Sequence, residues 1–177
     1  MKKNIFALFM MVFATATILV AQTDKIYFHN GKTIDANVIR LDDFKVFFKY
    51  AGEDAEQTVS KRAIGKIVYK SGREEQVTEK IEVRGKADWE KVEILLDKSE
   101  IVGLTKVDEI QGKTMGFFSG YTSAAGSDKR AQKKLLEAAA ELGCPFVYIT
   151  ADKDAKGGMQ SGAYGNQSNK KGIAYKY

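Results

Sequence analysis

Only one segment of the chain, from Ser127 to Gly143, carries apolar side chains at the spacing of an amphipathic helix. The predicted apolar stripe comprises Ala131, Leu135, Ala138, Ala139 and Leu142. Ser127 is the expected N-cap, because a serine side chain accepts hydrogen bonds from the free N–H groups of the first turn. Gly143 is the expected stop, because glycine readily takes the left-handed conformation that ends a helix. Most of the remaining fold must therefore come from strands.

Residues 24–83 have the pattern of short antiparallel strands separated by tight turns. Asn30-Gly31 lies between two β-rich runs and is a strong hairpin signal, because these residues tolerate positive φ. Two of the strands alternate apolar and polar residues, so each has one face for a core. These faces comprise Ile34, Ala36 and Val38 on one strand, and Val46, Phe48 and Tyr50 on the next. We expect a small antiparallel, barrel-like module over residues 24–83.

Residues 88–177 have a different pattern, with strands on both sides of the single helix. The segments "KVEILL" and "IVGLTKVDEI" precede the helix, and "FVYITA" and "GIAYKY" follow it. A linker, "RGKADWE", joins this part to the first, and Trp89 at its end would fix the domain orientation if it were buried between them. The predicted fold class is α+β: a barrel-like module followed by an α/β sandwich domain with one main helix on a small sheet.

Residues 1–21 have the features of a secretory signal peptide. Lys2 and Lys3 precede an apolar run that ends in a small residue, Ala21, after which cleavage is expected. The alternative is an uncleaved anchor, but the run is shorter than the roughly 20 apolar residues of a spanning helix. We therefore expect a protein outside the cytoplasm, periplasmic or secreted from a Gram-negative cell, with no transmembrane segment after cleavage.

Composition limits the chemistry available to the chain. A single cysteine excludes an internal disulfide, and with one histidine it makes an ordinary zinc site improbable. The net charge of +5 includes both signal-peptide lysines, which leaves too small an excess for a nucleic-acid binder. An apolar fraction of 44% is enough for stabilising cores instead. No cofactor or metal is predicted.

Cys144 and His29 are the residues most able to act in catalysis, and both have a simpler interpretation. Cys144 lies between the helix stop and a strand, where a small buried side chain fits. An intermolecular disulfide and a catalytic thiol are the alternatives, but a thiol nucleophile needs a nearby base. His29, the only histidine, falls in the other predicted domain and is expected to be an exposed residue at a strand end.

Three further motifs are incomplete. "DKDAKG" at 152–157 begins like a calcium loop, but position 12 of that pattern falls on Ala163 instead of glutamate. "GFFSGYTS" resembles a nucleophile elbow around Ser119, but the first glycine is misplaced and no histidine is nearby. No carboxylate pair stands out as a glycosidase acid and base. The sequence therefore predicts no catalytic residue.

Two surfaces could bind a partner. Lys129, Arg130, Lys133 and Lys134 cluster on the predicted helix, on the face away from its apolar stripe. They form either a solvated helix face or a site for docking to an anionic envelope surface. Met159 and Tyr164 lie in a Gly-rich loop that is either a simple surface loop or an adaptable contact.

The segment from Ile101 to Tyr177 resembles the YdgH/BhsA/McbA-like family of small exported bacterial domains. The matching residues are Gly103, 138–143, Tyr148, Ile149, Ala174 and Tyr175. A weaker similarity connects the helix-to-strand join with RcsF-like envelope sensors, whose paired cysteines are missing here. The chain departs from the family pattern at the long loop 152–170 and at Cys144. The resemblance implies a role in envelope stress or at the cell surface, without known catalytic residues.

These observations predict an exported, non-enzymatic cell-envelope protein that acts as a binding module for an envelope protein or an anionic surface. Residues 24–83 also resemble the SH3-like and Sm-like modules of exported proteins, but a fold does not carry a function. Two other function classes stay open: an envelope hydrolase that uses carboxylates the sequence cannot place, and a polyanion binder. Nucleic acid is not an expected partner.

Overall fold

The computed structural model describes residues 23–114, 124–155 and 167–177. Within these residues the chain forms ten strands in two sheets, with one α-helix and three short 3-10 helices. All strand pairs are antiparallel except one. The predicted α+β class is therefore confirmed at this level.

The first sheet contains six antiparallel strands in the order β4-β3-β2-β1-β5-β6. They are β1 (Asp24–Phe28), β2 (Thr33–Leu41), β3 (Lys45–Tyr50), β4 (Glu56–Ser60), β5 (Ile64–Val68) and β6 (Glu74–Gln76). The predicted core faces of β2 and β3 are confirmed, since Ile34, Ala36, Val46 and Phe48 are buried. Among the described residues β4 and β6 are free edges, so the sheet is open and closure into a barrel is not confirmed.

The hairpin between β1 and β2 forms where the sequence predicts it. Phe28 N–H donates to the Lys32 carbonyl at 2.9 Å, which places three residues, 29–31, in the loop. Gly31 has a φ of 89°, a conformation that glycine adopts without a steric penalty. The turn fixes where β1 ends, and so it fixes the position of His29.

The second sheet contains four strands in the order β7-β9-β10-β8. They are β7 (Glu93–Leu95), β8 (Thr105–Lys113), β9 (Phe146–Ala155) and β10 (Gln167–Lys176), and β7 runs parallel to β9. The predicted polar loop over 152–170 is wrong at both ends, because residues 152–155 pair with residues 167–170. Backbone hydrogen bonds extend this hairpin without requiring apolar residues.

Helix α1 (Ala124–Glu141) covers one face of the second sheet. It begins three residues before the predicted N-cap, and Ser127 is buried inside its first turns. The predicted stripe is partly wrong, because Leu136 and Ala140 are buried whereas Leu142 is 43% exposed. The buried face is shifted because the helix also packs against the 3-10 helix Lys86–Lys91. Gly143, with a φ of 66°, ends α1 as predicted.

The linker between the two sheets is docked on the second one. Trp89 lies in the 3-10 helix Lys86–Lys91 and packs against the core beneath α1. The ammonium of Lys133 lies 4.8 Å from the Trp89 ring centroid. Trp89 therefore holds the linker on the C-terminal core, and the domain boundaries at 24–83 and 88–177 stay a prediction.

Specific polar contacts join the two sheets on the side of β4. The Ser60 amide donates to the carbonyl of Val102 at 2.8 Å. The Arg62 guanidinium pairs with Glu93, and its Nε lies 3.7 Å from Oε2 of buried Glu100. Glu100 also caps the 3-10 helix Lys98–Ile101 through a capping box with Asp97. One arginine thus connects the first sheet to two carboxylates of the second part.

Close apolar packing accompanies these ion pairs. Gly103 has a φ of 86°, and a Cβ added there would lie 2.5 Å from a methyl group of Val59. Leu104, next in the chain, packs against both the first core and the core around Leu95 and Phe146. The junction between the sheets is therefore filled by side chains from both.

We expect Arg62→Met to lower the free energy of unfolding by about 1–3 kcal/mol, because Glu100 would stay buried without its cation. Urea denaturation measures this loss, and faster amide hydrogen exchange at Ser60 would localise it to the junction. Arg84→Met is the matched control, since Arg84 pairs with Glu82 on the surface. Equal effects of the two substitutions would contradict a structural role for Arg62.

Candidate binding cleft between the two sheets

A cleft of about 520 Å³ lies where the first sheet, the segment 80–84 and the end of β10 meet. His29 and Asn30 line it from the β1–β2 hairpin, and Lys176 and Tyr177 line it from the end of β10. Gly143 and Pro145 contribute the turn between α1 and β9. The cleft therefore exists only because the two sheets are in contact.

The Tyr177 side chain forms part of the wall of the cleft. Its hydroxyl accepts a hydrogen bond from the Ile81 amide at 2.9 Å. Its ring centroid lies 4.7 Å from that of His29 and 5.4 Å from that of Phe146. Burial raises the pKa of the Tyr177 phenol, so the hydroxyl stays protonated at neutral pH.

The neighbours of His29 determine that its Nε2 carries a proton. The Thr78 hydroxyl lies 2.7 Å from the Ile64 carbonyl, to which it must donate its single proton. The same oxygen, 2.8 Å from Nε2 of His29, can therefore only accept, which assigns the ring proton to Nε2. Burial lowers the pKa of His29 below 6.5, and the charge of Lys80 lowers it further.

The expectation of an exposed His29 is wrong. The ring is half-buried, because the C-terminal strand brings Tyr177 against it. The sequence places this histidine in a separate domain from the second sheet, whereas the structure places it beside that sheet. No local pattern reports this contact, since it depends on how the sheets pack.

The side chains around the cleft carry more positive than negative charge. Lys80, Arg84 and Lys176 line it together with one carboxylate side chain, Glu82. Arg84 Nη2 lies 2.9 Å from Glu82 Oε2, and this hydrogen bond is the main cause of the lowered pKa of Glu82. Lys80 and Lys176 form no ion pair with any described residue, so their charges are available to a ligand.

Cys144 is buried, as predicted. It is 0% exposed and packs with Leu135, Ala139 and Val147. Burial raises the pKa of its thiol, which opposes formation of the reactive thiolate. The side chain fills the core between α1 and the second sheet.

The predicted basic cluster on α1 is only partly available to a partner. All four residues, Lys129, Arg130, Lys133 and Lys134, are exposed. Lys133 lies near Glu137 and over Trp89, and Lys134 donates to the Lys113 carbonyl at 2.9 Å. Lys129 and Arg130 have no ion-pair partner among the described residues. Of the other predicted positions, Met159, Tyr164 and Ser119 lie outside the residues that the structure describes.

Sequence reasoning missed a buried ion pair under the start of α1. Lys170 is 5% exposed, and its ammonium lies 2.7 Å from Oδ1 of Asp128. The Ser168 hydroxyl donates to the same carboxylate at 3.3 Å. Lys170 lies on the same face of β10 as Gly172 and Ala174, which are both buried. This alternation is the sequence signal that could have predicted the burial of Lys170.

Comparison with known protein families, characterised proteins and solved structures finds no match to this chain. The resemblances to YdgH/BhsA/McbA-like and SH3-like modules therefore stay expectations from the sequence. No described helix is long and apolar enough to cross a membrane. Residues 23–114, 124–155 and 167–177 contain no group of three or more His, Cys, Asp or Glu side chains arranged to hold a metal ion.

We expect the stability to fall as the pH decreases below about 6.5, in part through His29. Because the pKa of His29 is lowered in the folded state, the unfolded chain binds a proton there that the folded protein does not, and acid favours unfolding. Urea denaturation at about pH 7.5 and about pH 5.5 measures the change. The matched variant His29→Gln keeps an N–H donor without a titratable ring and should lose less stability. An identical loss in both proteins would exclude His29 as a source.

We also expect the Cys144 thiol of the native protein to react slowly with a thiol reagent at neutral pH. The side chain is buried and its pKa is raised, so both access and the thiolate fraction are low. Labelling in buffer is compared with labelling in about 6 M urea, where we expect the rate to rise by orders of magnitude. Rapid native labelling would show that the thiol is accessible.

Proposed function

We propose that this chain is an exported cell-envelope protein that acts by binding, without a bond-making step, and that the cleft between the sheets is its binding site. The observation that carries the proposal is the cleft itself, which combines an apolar wall with unpaired cations at a junction of two sheets. Ligand sites occur preferentially at such junctions. The Arg62 ion pairs support a fixed shape for the cleft.

The environments of the two candidate catalytic groups favour binding over catalysis. The Cys144 thiol is enclosed in the core and its pKa is raised. The Nε2 proton of His29 is donated to the Thr78 hydroxyl, which in turn lies 2.7 Å from the Ile64 carbonyl. A glycoside hydrolase of the usual kind would need two carboxylates in the site, and the described lining supplies the side chain of Glu82 alone.

The cleft is a stronger candidate than the basic face of α1. Two of the four helix cations are engaged within the molecule, which reduces the charge available to an anionic surface. Docking of the helix to an anionic surface is therefore the alternative that the same experiment tests.

The other parts of the proposal follow from the sequence. Residues 1–21 would be removed on export, and the mature chain would combine an SH3-like module over 24–83 with a YdgH/BhsA-like domain over 88–177. Its role would lie in the envelope, where related modules respond to stress. The open first sheet and the helix-covered second sheet are compatible with this plan.

Site-specific cross-linking in cells tests the proposal. The native thiol is buried, so Lys80→Cys places a single reactive thiol in the cleft, and Lys129→Cys places one on α1 as the matched control. Each variant receives a short photo-cross-linker after export. We expect an envelope component to cross-link from position 80 and not from 129, with a lower yield when Lys176→Ala is added.

Two results would contradict the proposal. Cross-linking from 129 alone would transfer the function to the helix face. A chain that stays in the cytoplasm with its leader intact, or that cross-links from neither position in the envelope, would exclude an envelope-binding role.

A further inference from the structure

We propose that the cleft between the sheets binds a small anion that carries an apolar part, such as an acyl or aromatic carboxylate, sulfonate or phosphate. This inference rests on the proposed binding function and names the chemistry of its ligand. It follows from three properties of the cleft: its apolar wall, its side-chain charge and the effect of that charge on neighbouring groups.

One part of the cleft's lining is apolar, beside the polar residues named above. The ring of Tyr177 packs edge-on against buried Phe146, which fixes its orientation. Pro145 is buried beside it, and Ile81 and Val83 are half-buried. The Ile81 amide donates its hydrogen bond to the Tyr177 hydroxyl, so this N–H needs no hydrogen-bond partner from a ligand. Contact between this surface and an apolar part of a ligand removes apolar area from water, which favours binding.

The rim of the cleft is cationic. Lys80, Arg84 and Lys176 against Glu82 give a positive excess among the lining side chains. The C-terminal end of α1 reaches the cleft at Gly143 and brings a partial negative charge of about half an elementary unit. This partial charge is smaller than the charge of either unpaired lysine. The rim therefore favours a ligand with one or two negative charges.

Two groups near the cleft respond to these cations. After burial, Lys80 is the next cause of the lowered pKa of His29. On the other side, Lys176 opposes the rise that burial causes in the pKa of Cys144. The two lysines thus act from two sides of the same cleft, and Lys80 also lowers the pKa of Glu82 through its charge. A neutral His29 leaves the recognition of the anion to the lysines.

Binding of defined probes to the purified mature protein tests this inference. Naphthalene-2-sulfonate supplies an apolar body with one negative charge, naphthalene-2-methanol supplies the same body without it, and inorganic phosphate supplies charge alone. Titration calorimetry measures affinity, and the ring signals of His29 and Tyr177 in NMR spectra report the location. We expect the sulfonate to bind more tightly than the alcohol or phosphate and to shift both ring signals.

Matched charge variants separate the cleft from the helix. Each exposed cation should contribute about two- to fivefold to the affinity, so Lys80→Ala with Lys176→Ala should weaken sulfonate binding about tenfold. Lys129→Ala with Arg130→Ala removes the same charge from α1 and should leave the affinity unchanged. Higher salt should weaken the wild-type complex toward that of the cleft variant. Thermal denaturation confirms that all variants fold.

Several outcomes would overturn the inference. They are equal binding of the sulfonate and the alcohol, equal loss in the two double variants, or no shift of the His29 and Tyr177 signals. If one of these occurs while position 80 still cross-links to an envelope component, the cleft binds a different kind of partner and the proposed function stands. If the sulfonate binds as expected and cross-linking fails, the ligand chemistry stands and the envelope role does not.

Discussion

The shared ion pairs of Arg62 are the interaction on which the architecture described here depends. The Arg62 guanidinium, from the turn between β4 and β5, contacts Glu93 in β7 and Glu100 in the 3-10 helix that follows it. Buried Glu100 is also tied to the backbone at Leu96 and Asp97, so its carboxylate cannot move without disturbing that turn. The first sheet has a buried core of its own, and the second sheet has another beneath α1. Joined at this point, they enclose a third core around Phe146 and create the cleft at its margin.

Local sequence patterns predicted the parts of this molecule, and long-range packing decided the rest. The core face of β2, predicted from Ile34 and Ala36, and the end of α1, predicted from Gly143, are both confirmed. Each depends only on neighbours within a few residues. The predicted start of α1 and its predicted buried face are wrong. The buried face differs because α1 also packs against the 3-10 helix Lys86–Lys91. The hydrogen bond between Ile81 and Tyr177 joins residues 96 positions apart. The periodicity of a single sequence cannot predict a hydrogen bond between residues so far apart.

The same distinction explains why the candidate site was not found from the sequence. Its lysines are ordinary surface residues in their own segments, and only packing brings Lys80 near Lys176. For His29 the sequence predicts an exposed strand end, because the next two residues, Asn30 and Gly31, form a turn. Lys170 was overlooked for a related reason: a lysine in a polar stretch is normally solvated. Its burial against Asp128 shows that the polar end of β10 is an integral part of the fold.

The enclosure of the single cysteine has a consequence for how the chain responds to oxidants. While the chain is folded, oxidants and foreign disulfides cannot reach Cys144. Any molecule that unfolds globally exposes it, and irreversible oxidation there would place a larger, polar group in the core between α1 and the second sheet. Irreversibly oxidised Cys144 would therefore accumulate in molecules that have unfolded at least once. Mass spectrometry could measure this fraction, which would increase with the age of the population.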